Sequence, residues 1–129
     1  MRLPLALAPM ACPRPRVTAR NGFAHAYYPA NYKAWKTEAA KEISKMLPKS
    51  HVVIDYPVAM DITFNVKRPK KSKLFAPKPD VDNYQKSLFD AMTAAEVWTD
   101  DTLVVTVTAR KRWADADGID VSLLPEYIV

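Results

Sequence analysis

A chain of 129 residues, 49% apolar and 26% charged, is long enough for one compact core and too short for two, so a single domain spanning 1–129 is expected. One cysteine, Cys12, excludes an intrachain disulfide, and two glycines exclude a glycine-rich phosphate loop. The net charge of +5 suits a polyanionic partner such as nucleic acid.

The opening MRLPLALAPMAC has the basic residue, short apolar run and small residue ahead of a cysteine that a lipoprotein signal has. Pro4 and Pro9 break that run, and Arg14 and Arg16 follow it, so it is read as a first strand. Cys12 to Gly22 reads as a loop carrying Arg14, Arg16 and Arg20 and no acid. In NYKAWKTEAAKEISKML, residues Tyr32, Trp35, Ala39, Ile43 and Met46 recur at helical spacing, with Pro29 just ahead, which predicts an amphipathic helix. Val58 to Val66 alternates apolar and polar residues, the pattern of a half-buried strand that Pro57 bounds.

Lys67 to Pro79 follows as an exposed loop with Lys67, Arg68, Lys70, Lys71, Lys73 and Lys78, and again no acid. From Val81 the apolar residues Tyr84, Leu88, Met92 and Ala95 return to helical spacing, predicting a second helix over about Asp82 to Ala95. Thr102 to Arg112 and Gly118 to Leu124 read as two further strands. The order β-α-β-α-β-β predicts an α+β two-layer sandwich, two helices packed on a mixed β-sheet. No segment approaches the roughly 18 unbroken apolar residues of a membrane span.

Charge is segregated along this frame. Residues 79–109 hold six acids against the single base Lys86, directly after the basic loop. In one reading Asp80 caps the second helix, Asp82 favours its dipole, and Asp82, Lys86 and Asp90 form an i, i+4 ladder. In the other, the turn VWTDD folds back so that Asp101, with Asp100, joins Asp80 and Asp82. Carboxylates brought together in this way repel, and Mg²⁺ or Mn²⁺, which favour oxygen ligands, would remove the repulsion. An acidic metal site beside basic loops suits phosphodiester hydrolysis, with Lys86 placed to steady charge on the phosphate or the leaving 3′ oxygen. No Cys/His cluster offers a zinc site, and His25 and His51 are isolated. Asp-x-Asp also serves nucleotide-sugar transferases, but those need a larger nucleotide-binding domain than this length allows.

PDVDNYQKSLFDAM followed by VWTDD, with a basic RPR loop near the N-terminus and a Tyr-rich entry to the first helix, resembles the RusA-type Holliday junction resolvases. The resemblance covers most of the chain, and its specific part is Asp80 to Asp101. It implies a Mg²⁺- or Mn²⁺-dependent endodeoxyribonuclease that binds four-way branched DNA as a homodimer and cuts two opposing strands symmetrically, in DNA recombination and repair. By position it implies that Asp80, Asp82 and Asp101 are the essential carboxylates and Lys86 the catalytic lysine. Asp100 is then a metal-tuning candidate, Asn83 holds the carboxylates, and Asp90 orients or pairs with Lys86. A cytoplasmic location in a bacterial or phage-infected cell is expected, with no membrane and no small-molecule cofactor. Arg14, Arg16, Arg20 and the bases of the Lys67 to Lys78 loop are the expected DNA contacts. Phe75 in that loop is a wedge for the junction or an apolar contact, and Trp98 is expected to bury the VWTDD turn. The alternatives are a non-catalytic DNA-binding module and a phage nuclease acting on flaps or other branched DNA.

Overall fold

The computed structural model describes residues 1–126. Strand β1 (Arg2–Leu5) is followed by β2 (Arg16–Arg20) and β3 (Phe23–Tyr27), helix α1 (Ala30–Met46), β4 (Val58–Lys67), helix α2 (Val81–Ala94), a 3₁₀ turn (Asp101–Leu103), β5 (Val104–Ala114) and β6 (Gly118–Pro125). The main sheet runs β1-β6-β4-β5, with β4 and β5 parallel and the other pairs antiparallel. A parallel pair needs a long crossover, and α2 with the loop before it is that crossover. The fold is therefore the expected α+β arrangement of two helices and a mixed sheet.

Alternation in the strands decides which face of the sheet the helices cover. Val58, Met60, Ile62 and Phe64 of β4, Leu3 and Leu5 of β1, and Ile119, Val121 and Leu123 of β6 are all buried and share one core. Tyr32, Ala39 and Ile43 of α1 and Tyr84, Leu88 and Met92 of α2 close over them. Met46, predicted to lie on the apolar face of α1, is exposed at the helix end. The opposite face of the sheet is polar: Arg110 reaches Asp61 at 2.8 Å and Thr63 at 2.9 Å, and Arg112 reaches Asn65 at 2.7 Å.

The N-terminal basic stretch differs from the predicted loop. Arg16–Arg20 pairs with Phe23–Tyr27 in a separate antiparallel hairpin. Its turn is Asn21 (φ 51°) and Gly22 (φ 79°), two consecutive residues in the left-handed region, as a tight two-residue hairpin demands. Among the described residues no helix is long and apolar enough to cross a membrane.

Candidate active site

Asp80 is the N-cap residue of α2, but its side chain makes no capping hydrogen bond. Its backbone carbonyl instead accepts from Asn83 N at 3.1 Å and Tyr84 N at 3.3 Å. Asp82 lies in the first turn, and neither carboxylate has a side-chain hydrogen bond or salt bridge among the described residues. Two exposed acids are thus fixed by backbone while their oxygens stay free. The helix itself is pinned from below by Tyr84, whose ring stacks on Phe64 of β4 at 5.4 Å, and from the side by Cys12 N, which donates to Asn83 O at 3.0 Å.

One turn further along the same stripe stands Lys86, and one turn beyond it Asp90. Lys86 Nζ reaches Asp90 Oδ1 at 3.4 Å, so the lysine pairs forward with Asp90 rather than back with Asp82. The second oxygen of Asp90 accepts a 2.6 Å hydrogen bond from the hydroxyl of Tyr32, which α1 supplies from the core. Burial pushes the Tyr32 hydroxyl far above the ordinary phenol range, and Asp90 adds to the shift, so Tyr32 stays a donor.

The VWTDD turn folds against this half of α2. Trp98 is 1% exposed, donates Nε1 to Thr93 Oγ1 at 2.8 Å and meets Phe89 edge-on at 5.5 Å, which buries the turn as expected. The turn then presents Asp100 and Asp101, which share an open cleft of about 420 Å³ with Lys86, Asp90, Tyr28 and Lys36. The two adjacent acids are driven apart. Asp100 is held low, chiefly by the backbone N–H of Thr102, which it binds at 2.9 Å. Burial pushes Asp101 up, Asp100 adds to that, and Lys86 opposes it. Lys86 in turn is held up, first by Asp90 and to a smaller extent by Asp101.

The cleft therefore gathers Lys86, Asp90, Asp100 and Asp101, while Asp80 and Asp82 stand outside its lining. Eight residues of helix from Asp82 to Asp90 rise about 12 Å, so the acids form two stations with Lys86 between them. Among the described residues, no three His, Cys, Asp or Glu side chains stand close enough together to hold an ion. Arg14, Arg16, Lys67, Arg68, Lys70, Lys71, Lys73 and Lys78 are all exposed, and Arg20 lies in β2. Phe75 is fully exposed at the tip of the basic loop.

Sequence reasoning missed Tyr32, Tyr28 and Lys36 as site neighbours. Lys36 had a signal, since it lies four residues after the buried Tyr32 on one helix face. Tyr32 had none beyond its apolar phase, because its partner lies 58 residues away.

Exposed carboxylates, one lysine and basic loops on an α+β domain are equipment for cleaving a phosphodiester backbone. A family model described as endodeoxyribonuclease RusA matches residues 6–123, nearly the whole chain, and the chain belongs to that family of endodeoxyribonucleases. This membership supports a Holliday junction-resolving endonuclease in general. The chain is also 33% identical over 129 residues to a Bacillus subtilis (strain 168) protein described as "Uncharacterized protein YqaN", covering 89% of each.

Proposed function

We propose that this protein is a divalent-metal-dependent endonuclease that resolves four-way DNA junctions as a homodimer, by paired symmetric incisions. The observation that carries the reading is the setting of Lys86: Asp82 one turn before it, Asp90 paired at 3.4 Å one turn after it, and Asp101 in the same cleft. A module that only binds DNA gains nothing from carboxylates that repel phosphate.

The donor set fits a hard cation, being all oxygen, with Asp80 free at a helix start where a capping role was open to it. Asp80 and Asp82 at the head of α2 and Asp101 in the cleft are the carboxylates proposed for Mg²⁺ or Mn²⁺, in two stations that binding of the ion and DNA would have to draw together, with Asp100 tuning Asp101. Such an ion activates a water and neutralises charge at the phosphate. Lys86 steadies the negative charge on the phosphate or the leaving 3′ oxygen, and Asp90 aims Lys86. Asn83 keeps the head of α2 in place through its backbone ties to Asp80 and Cys12. The exposed bases of the Lys67 to Lys78 loop, with Arg14, Arg16 and Arg20, follow the DNA backbone, and the exposed Phe75 serves as a wedge at the junction or as an apolar contact.

The test is cleavage of a mobile four-way junction beside linear duplex and flap controls, in Mg²⁺ and then Mn²⁺. Asp82→Asn is expected to abolish nicking while junction binding persists. Unchanged cleavage by that variant sinks the reading, and preference for flaps reassigns the substrate. A monomer in gel filtration at micromolar concentration contradicts paired incision.

A further inference from the structure

Lys111 lies on β5 opposite Phe64, whose side chain is buried on the helix-bearing face of the sheet. A charged residue there is unexpected, since its neighbours on the same side of β5 are Val107, opposite Met60, Ala109, opposite Ile62, and Trp113, opposite Val66. Its ammonium donates to two backbone carbonyls, Pro77 O at 2.8 Å and Pro79 O at 2.8 Å. The Pro79 carbonyl belongs to the peptide bond that leads into Asp80, so Lys111 holds the plane from which the first acid of the helix projects. Two rungs on, Trp113 Nε1 donates to Leu74 O at 2.8 Å and fixes the same loop further upstream.

The loop has little else to set its direction. Proline contributes no N–H, so Pro77 and Pro79 leave the approach to Asp80 with few backbone donors, and no strand of the sheet pairs with it. A charged donor shared by two carbonyls is stronger than neutral hydrogen bonds in the same place. Pro77 is itself buried, so the carbonyls that Lys111 binds belong to a seated segment and not to a loose tip.

We propose that Lys111 is a positioning residue for the acidic head of α2: by clamping the Pro77 and Pro79 carbonyls it sets where Asp80 and Asp82 present their carboxylates to a divalent cation. This rests on the metal-dependent reading given above. Lys111 touches neither the phosphate nor the ion; it acts through the backbone.

The test compares Lys111→Met, which keeps the alkyl stem and loses the donors, with Lys111→Arg, which keeps charge and donors. Mn²⁺ binding to the full-length protein without DNA is measured by calorimetry, and kcat and KM on a four-way junction are measured separately. Lys111→Met is expected to weaken Mn²⁺ binding and lower kcat by about ten- to hundredfold, as loss of an outer support of a metal site does, with KM for the junction unchanged. Lys111→Arg is expected to recover part of both losses. Wild-type Mn²⁺ affinity and kcat in Lys111→Met overturn the proposal, as does a loss confined to junction KM. Should Lys111→Met not fold, Lys111→Gln is judged by the same criteria, and failure of both to fold overturns the proposal by making Lys111 a requirement of the fold itself. Asp82→Asn separates the two levels: full cleavage by that variant defeats the metal-site reading, whereas its inactivity beside an unaffected Lys111→Met defeats the positioning role alone.

Discussion

Tyr32 and Asp90, 58 residues apart in the chain, are joined by a 2.6 Å hydrogen bond that ties α1 to the acidic stripe of α2. It leaves the other oxygen of Asp90 to Lys86, so the lysine is aimed by a residue that the core holds still. Tyr32→Phe keeps the ring and removes the hydroxyl. Its expected cost is about 1.5–3 kcal/mol in urea unfolding, the range for a hydrogen bond to a charged group. Junction cleavage is expected to fall with junction binding intact; wild-type stability and cleavage in this variant contradict the role given to the pair.

Trp98 is the anchor of the turn that carries Asp100 and Asp101. Truncation to Ala removes its packing against Phe89 and its bond to Thr93. The expected loss is about 3–5 kcal/mol in denaturant unfolding, and Trp98→Phe is expected to lose less. A cost within about 0.5 kcal/mol, typical of a surface substitution, refutes the anchoring role.

On the polar face of the sheet, the Arg110 guanidinium holds the Asp61 carboxyl below its ordinary range through their hydrogen bond. The folded value is depressed, so the stability Asp61 contributes is present above the unfolded carboxylate value and is lost as pH falls through the folded one. Wild type and Asp61→Asn are therefore expected to differ in thermal midpoint at neutral pH and to converge in acid. The pair is exposed, so the difference is expected to be small and to shrink in high salt. A gap that widens on acidification contradicts this linkage.

DNA binding tests the basic loop. About six phosphate contacts give a slope near −5 in log K against log salt. Replacing Lys70, Lys71 and Lys73 by Gln is expected to flatten the slope by about one per lysine, on junction and duplex alike. Filter binding or anisotropy over a salt series measures it; an unaltered slope places the DNA elsewhere.

Local pattern determined a great deal. Apolar spacing alone located α1, β4, α2, β5 and β6 to within a few residues, because each element must bury one face and its period reports which. The acids, the lysine and the basic loop were equally visible as charge segregation. The N-terminal hairpin was the failure: Asn21-Gly22 is a strong turn signal, but the arginines and prolines around it disguised two short strands that no core face patterns. Only tertiary structure decided how the acids are distributed. The turn after α2 is held by Trp98 beside Lys86 and Asp90, in a cleft that Asp80 and Asp82 do not line, and nothing in the sequence shows that separation. It likewise decided that Tyr32 faces Asp90 and that Lys111 clamps the entry to α2. Such contacts join residues far apart in the chain, and they are set by how the helices lie on the sheet, whereas periodicity reports only which side of each element is covered.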